Sequence, residues 1–429
     1  MNARRTALSL LTRLEERGGF ANLLLSDAVL SRVGEDAGLL TALFYGTVER
    51  RLTLDYAIGV LAARDASALS PRTRNLLRLG LYQIYFMNIP AHAATDQTVS
   101  IGENQGERAL VNAVLRRAAH TPLPLPPEGR TARYLSVKHS FPLSTVRHFL
   151  GLYGEAETEA LLSAYNRVAP LTVTVNLGRT TRDEYLSILE KAGIPAQKTL
   201  YAKRSVRLGE SVPPERLPHF GDGWFLVQDE ASSLAAEALG AVAGDTVIDV
   251  CSAPGGKILS CATSLGGVGR FYAFDIHESK LSLIRESASR LGVSVNATVC
   301  DGTVGDAALF GKADRVICDV PCSGLGVLGK KPDLRYREKS ESLAPLGFEI
   351  LNTSAKYLKA GGVLLYSTCT LSPDENEENV RRFLDTHADF ALLDFAFDGG
   401  LQSKGGCLTL LPHKHGTDGF FMAKLVKQK

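Results

Sequence analysis

Through the first 120 residues apolar side chains recur every third or fourth position, with polar residues between them, which is helical spacing. In 5–16, Ala7, Leu8, Leu11 and Leu14 share one face. The same pattern predicts helices over 39–51, 53–63, 71–86 and 109–119, with Pro71 in a first helical turn and Pro90 closing the stretch after 71–86. Pro122, Pro124, Pro126 and Pro127 then form a stiff, extended linker. Two further helices are predicted beyond it, over 142–153 and 155–165. The period then shortens: 171–176 alternates as a strand, 182–192 is helical and 205–208 is strand-like, a small α/β unit. From 236 onward short β-branched or apolar runs at 246–250, 270–274, 293–299, 315–318 and 363–366 read as strands. The first is followed by Pro254-Gly255-Gly256 and a helix over 258–265. Strand, glycine turn and helix in that order open a doubly wound nucleotide-binding domain. Three segments result: an all-α segment 1–128, a helical and small α/β linking segment 129–235, and an α/β domain with a Rossmann-like sheet, 236–429.

Composition adds limits. A chain of 429 residues agrees with about three domains. No apolar run reaches the roughly 18–20 residues of a membrane span, and no apolar core or cleavage site follows Met1-Asn2-Ala3-Arg4-Arg5, so neither a membrane partner nor a signal peptide is expected. Seven scattered cysteines argue against a disulfide framework and for a reducing, cytoplasmic setting. A monomer is expected. The net charge of +2 confines any nucleic-acid surface to part of the chain. The first 120 residues hold fourteen arginines, eleven acids and no lysine. Arginine suits planar, bidentate contact with phosphate, so this segment is either an RNA-binding face or a solvated bundle.

The chemistry gathers at strand ends. In the loop Cys251-Ser252-Ala253-Pro254-Gly255-Gly256-Lys257, a phosphate-binding P-loop would need glycine where Cys251 stands and Ser or Thr where Ile258 stands. The dinucleotide fingerprint is absent too. A cofactor without a pyrophosphate fits better, and S-adenosylmethionine is the candidate. Asp275 ends the second strand nineteen residues after Gly256, near the spacing at which such an acid reaches ribose hydroxyls. The third strand ends in Cys300-Asp301-Gly302, the fourth in Asp319-Val320-Pro321-Cys322-Ser323-Gly324 and the fifth in Ser367-Thr368-Cys369-Thr370. Parallel strands would bring Cys322 and Cys369 together where ligands bind; the alternative is two packed core thiols. Cys261, Cys300, Cys318 and Cys407 read as structural. No cysteine spacing matches His413 and His415, so no metal site is expected.

Three motifs, Asp249-x-Cys251-x-Ala253-Pro254-Gly255-Gly256-Lys257, Asp319-x-Pro321-Cys322-Ser323-Gly324 and Ser367-Thr368-Cys369-Thr370, together resemble the RNA cytosine-5 methyltransferases, most closely the bacterial group that modifies 16S ribosomal RNA. Leu43-Phe44-Tyr45-Gly46-Thr47-Val48 and Val111-Asn112-Ala113-Val114-Leu115-Arg116 resemble the NusB-like RNA-binding domain that precedes the catalytic part in that group. The resemblance runs nearly the whole chain. Val250, Ser252 and Val320 replace expected alanines and Ile258 an expected threonine, beside the loop backbone.

The resemblance implies methyl transfer from S-adenosylmethionine to carbon 5 of a cytosine in small-subunit ribosomal RNA. Carbon 5 is a poor nucleophile until a thiolate adds to carbon 6. The resemblance gives that attack to Cys369 and product release to Cys322; DNA enzymes attack with the Pro-Cys thiol, and strand-end geometry leaves the order open. Asp319 would hold the cytosine amino edge or ring nitrogen at the border of the cofactor, and Lys257 the base or the cofactor's surroundings. Cys251, Ser252, Ala253, Pro254, Gly255, Gly256 and Lys257 would line the methionine part, Asp275 the ribose and Asp301 the adenine amino group. Trp224, in a stretch that packs against the cofactor domain in the family, reads as core. Ser372-Pro373-Asp374-Glu375 reads as a capping box anchoring the Cys369 loop. Lys330, Lys331 and Arg335 either hold RNA phosphate or form a solvated loop. The alternatives are the same reaction on transfer RNA and an RNA-binding scaffold with a vestigial cofactor fold; Gly255, Gly256, Asp275, Cys322 and Cys369 together count against the scaffold.

Overall fold

The computed structural model describes residues 2–428 except 130, 211 and 337–341. The chain divides into two units: Met1–Arg167 with Leu328–Glu338, and Val168–Val327 with Lys339–Lys429.

The first unit is all helical. Asn2 caps Ala3–Arg17 by accepting from Arg5 N, and its apolar stripe buries Ala7, Leu8 and Leu11. Ala37–Glu49, Arg51–Ala62, Pro71–Phe86 and Gln105–Ala118 enclose the same core. Pro71 stands in the first turn, as the sequence predicts, and Ser70 caps Thr73 N. Ala91–Ser100 and Thr131–His139 are helices that the pattern did not reveal. Leu143–Tyr165 is interrupted at Gly154, where φ is +74°, between the two predicted helices.

The proline-rich stretch does not end this unit. Leu52 N donates to Ser140 Oγ at 2.9 Å, and Phe141, Val146 and Phe149 are buried. The helical half of the 129–235 segment therefore belongs with the N-terminal helices, and its α/β half with the second unit. A late stretch of chain also belongs here. In the single turn Pro332–Tyr336, Arg335 donates to Tyr165 O (3.1 Å), Asn166 Oδ1 (2.8 Å) and Leu328 O (3.0 Å), with its guanidinium 4.1 Å from the Phe141 ring centre. At 2% exposure it is a packing residue, which corrects both readings of it, as a phosphate ligand and as part of a solvated loop; Lys330 and Lys331 are exposed. Arginine elsewhere in the unit is partly internal as well. Arg74 and Arg78 bind Glu15, and Arg78 binds Asp55. Arg5, Arg13, Arg17 and Arg116 are exposed.

The second unit opens with β1 (Thr172–Val175), β2 (Ala196–Lys198), β3 (Ser205–Leu208) and β4 (Phe225–Val227), an antiparallel sheet in the order β2-β3-β1-β4. A capping box of Thr181 and Glu184 starts its helix, Arg182–Lys191. Val173, Val175, Tyr185, Leu189 and Phe225 form its core, against which Trp224 packs while stacking on His219 at 4.0 Å.

The larger sheet holds β5 (Thr246–Asp249), β6 (Arg270–Asp275), β7 (Asn296–Val299), β8 (Ala313–Asp319), β9 (Leu358–Thr368), β10 (Phe390–Leu392), β11 (Cys407–Leu410) and β12 (Phe420–Lys427). Its order is β10-β12-β9-β8-β5-β6-β7, with β11 on β12. Strands β5 to β9 are parallel, and β12 runs antiparallel to β9. Neighbouring residues face opposite sides. Val247, Leu365 and Met422 enter one apolar cluster and Ile248, Leu364 and Phe421 the other, so both faces are covered and the strands read as continuous apolar runs. The chain order reverses between β5 and β8, the topological switch point at which ligands bind such sheets. No helix among the described residues is long and apolar enough to cross a membrane.

Candidate active site

The carboxyl ends of β5, β6 and β7 carry one half of the site. At the end of β5, Asp249 is 1% exposed. Ser252 Oγ donates to its Oδ2 at 3.0 Å, while its Oδ1 has no partner among the described residues. Burial, and then the charge of Asp319, push this carboxyl up to about 7 against the opposing pull of Lys257 and Ser252. The folded value lies above the 3.8 of an ordinary aspartate, so the folded state retains a proton that the unfolded chain releases. Stability from this group is full below about pH 4 and is lost as pH rises through about 7. The parent is therefore expected to lose thermal midpoint from this group between about pH 4 and about pH 7, and Asp249→Asn to lose less. Parallel midpoint curves for the two proteins would refute the shift.

After Asp249 the loop folds on backbone bonds. Ser252 N donates to Phe274 O at 2.7 Å and Gly255 N to Ser252 O at 2.6 Å. Gly255 has φ +101°, and a Cβ there would lie 3.1 Å from Ile284 Cγ1 and 3.2 Å from Leu259 Cδ1, so both the turn and the packing call for glycine. Helix Gly256–Ser264 starts immediately, with Gln228 Nε2 donating to Gly256 O at 2.9 Å. Cys251 and Ala253 turn their side chains into apolar clusters, and Ser252 serves Asp249. Among Cys251 to Gly256 the backbone is thus the part left to a ligand, with Pro254 exposed at the turn.

Asp275 Oδ1 accepts from His277 N at 3.0 Å, and Asp301 Oδ1 from Thr303 N (2.9 Å) and Thr303 Oγ1 (2.7 Å). The hydroxyl and then the amide of Thr303 hold Asp301 below the usual carboxylate range. Both acids keep a second oxygen without a protein partner among the described residues. Two carboxylates with free acceptors on adjacent strand ends, beside a glycine loop, fit a ligand that carries a diol and an amino group, as S-adenosylmethionine does.

The other half lies at the ends of β8 and β9. Asp319 accepts from Lys257 Nζ and from Ser367 Oγ, each at 2.6 Å. Burial opposes the Lys257 ammonium, but Asp319 and Asp249 outweigh it and hold its pKa above the ordinary lysine value. The thiols meet: Cys322 Sγ lies 3.4 Å from Cys369 Sγ. Their hydrogen bond and then burial push the Cys322 thiol well up. The remaining cysteines are free thiols outside this pair, and burial pushes Cys261 and Cys318 up to about 12.

The capping box expected at 372–375 does not form. The helix begins at Glu377, with Asn376 at its cap position, and Glu375 reaches back to Ser323. Ser372 Oγ bonds Asp374 instead. Asn376 spans the Cys369 loop, taking a bond from Thr368 Oγ1 (2.6 Å) and donating to Thr370 O (3.1 Å). Gly326 N donates to Cys369 O at 2.9 Å, and a Cβ on Gly326 would lie 2.0 Å from Gly419 O, so that crossing admits only glycine. Ser323, Gly326, Ser367, Thr370, Glu375 and Asn376 were not singled out from the sequence for these contacts. The one available signal was the hydroxyl residue that follows each cysteine, Ser323 and Thr370.

Comparison with known proteins agrees along the chain. The family model described as 16S rRNA methyltransferase RsmB/F matches residues 236–426, the NusB family model 1–120 and the RsmF/B-like ferredoxin-like domain model 142–215. The probable ribosomal RNA small subunit methyltransferase B of Synechocystis sp. is 33% identical over 100% of both chains. Its Bacillus subtilis counterpart is 34% identical over 100% of this chain and 99% of that one. The solved structure of PH0851 superposes with a TM-score of 0.80 at 25% identity, covering 100% of this chain and 99% of the other. Relatives of this identity over the full length, together with a match to the catalytic domain itself, mean that the chain belongs to the RsmB/F family of 16S rRNA methyltransferases.

Proposed function

We propose that this protein transfers a methyl group to carbon 5 of a cytosine in small-subunit ribosomal RNA, with Cys369 as the attacking thiol. The methyl donor is S-adenosylmethionine. The observation that carries the reading is the pair of thiols 3.4 Å apart beside the Lys257–Asp319 ion pair. Thiolate addition to carbon 6 moves electron density to carbon 5. Bound S-adenosylmethionine supplies the electrophilic methyl group. Its transfer would leave S-adenosylhomocysteine; a base then takes the carbon 5 proton as the Cys369 thiolate leaves carbon 6, which restores the ring double bond, with Cys322 assisting that release. Lys257 lies close enough to interact electrostatically with Cys369, and the bond to Cys369 and then burial raise the Cys322 thiol. Asp319 already accepts two bonds, but each carboxylate oxygen has a further lone pair for the cytosine edge.

For the cofactor, the Cys251–Lys257 loop would hold the methionine part, Asp275 the ribose and Asp301 the adenine amino group. Asp275→Ala is expected to weaken S-adenosylmethionine binding by about 1.5–3 kcal/mol, the range for a hydrogen bond to a charged group. Unchanged affinity by calorimetry in a folded variant would remove Asp275 from that role.

Ribosomal RNA is favoured because the relatives are named for it and because a NusB-type domain precedes the catalytic part. The test is to incubate the full chain with methyl-labelled cofactor and either 16S ribosomal RNA or transfer RNA, then digest to nucleosides. Label in 5-methylcytidine from ribosomal RNA is expected. Label from transfer RNA alone would shift the substrate, and label in another nucleoside would overturn the chemistry.

A further inference from the structure

The two thiol loops are joined by a chain of hydroxyls with a fixed direction. Ser323 follows Cys322, and Thr370 follows Cys369. Their side-chain oxygens lie 2.7 Å apart, and Ser323 Oγ bonds Glu375 Oε2. Ser323 N also donates to Glu375 Oε1 at 3.0 Å. A carboxylate only accepts, so the Ser323 hydroxyl donates to Glu375 and the Thr370 hydroxyl donates to Ser323. Ser372 N completes the run by donating to Thr370 Oγ1 at 3.3 Å. Glu375 itself is 4% exposed, and its backbone is tied to β9 through Tyr366, whose hydroxyl donates to Glu375 O at 2.6 Å. A carboxylate anchored beside one thiol loop therefore grips the other. Glu375 is buried while Ser323 is exposed, so the grip reaches from the interior to the surface of the Cys322 loop.

We propose that Glu375 is a positioning residue for the two-thiol reaction, setting the Cys322 loop against the Cys369 loop through Ser323 and Thr370. It touches neither substrate nor cofactor. Its effect is on the separation of the two sulfurs, and hence on the release step that needs both. The inference rests on the two-thiol reading of the active site.

The test compares full-length Glu375→Ala, Glu375→Gln and Ser323→Ala with Cys322→Ala and Cys369→Ala, using 16S ribosomal RNA and labelled S-adenosylmethionine. Turnover, cofactor affinity by calorimetry and the fraction of RNA held covalently on denaturing gels are read together. Glu375→Ala should lower kcat by about 10- to 100-fold, the scale of a misplacement near 1 Å. Cofactor affinity should stay within about twofold, and covalent RNA should accumulate, as expected of Cys322→Ala. Glu375→Gln, whose amide oxygen can still accept from Ser323, should recover part of the turnover. Ser323→Ala should follow Glu375→Ala in direction, and it carries the test should Glu375→Ala fail to fold. Turnover close to the parent's in both Glu375→Ala and Ser323→Ala, or a parallel loss of turnover and cofactor affinity without covalent RNA, would overturn the proposal. If the two thiol variants methylate like the parent, the two-thiol reading falls and takes the positioning role with it. If they behave as expected while the Glu375 and Ser323 variants match the parent, the positioning role alone falls.

Discussion

Cys369→Ala should be inactive and form no covalent RNA, whereas Cys322→Ala should methylate its target and then stall as a protein–RNA adduct. Without the carbon 6 adduct, carbon 5 has no electron density to offer, so the loss for Cys369→Ala should be about 10⁴-fold or more, as for other catalytic nucleophiles. Cys322→Ala keeps the attacking thiol and loses the neighbour 3.4 Å away that assists elimination. Its adduct should survive denaturing electrophoresis and depend on S-adenosylmethionine to become irreversible. An adduct band with Cys369→Ala instead would reverse the roles.

The largest expected effect on stability lies far from this chemistry. Arg78 is 3% exposed and donates to Asp55 Oδ1 (2.6 Å), Asp55 Oδ2 (2.7 Å), Glu15 Oε2 (2.8 Å) and Asn75 Oδ1 (2.9 Å). Its removal leaves Asp55 without its cation and Glu15 with Arg74 and Asn75 alone, and breaking a buried pair from one side costs up to about 3–5 kcal/mol. Arg78→Ala should therefore lower the urea midpoint followed by far-ultraviolet circular dichroism, to which the helical unit contributes heavily. Fluorescence of Trp224, the only tryptophan, reports on the second unit and should move less. An unmoved dichroism midpoint would show that the network adds little.

Arg78 also shows why one reading of the sequence stopped short. Fourteen arginines among 120 residues suggest a phosphate-binding face, but composition does not distinguish an arginine that meets RNA from one that neutralises buried acids. Arg74 and Arg78 are held inside the fold instead. Elements with a clear period were legible: the N-terminal helices, the break near Gly154, and the parallel strands that end in Asp249, Asp275 and Asp319. The convergence of Cys322 and Cys369 followed from strand topology alone. What stayed hidden depends on contacts distant in sequence. Ser372 to Glu375 has the residue types of a capping box, yet the better partner for Glu375 is Ser323, fifty-two residues earlier. Nothing in the local pattern reveals that competition.

The placement of Leu328–Glu338 in the helical unit has a consequence for how the protein is made. Synthesis runs from the N-terminus, and domains ordinarily fold as they emerge. Here the carbonyls of Glu49, Ser140 and Tyr165 receive donors from Arg335 and Tyr336, nearly two hundred residues later than Ser140. The helical unit thus leaves the ribosome with part of its core unclosed. It can finish only after β5 to β8 of the catalytic sheet have been translated, while β9 to β12 are still to come, so the two units complete in overlap rather than one after the other.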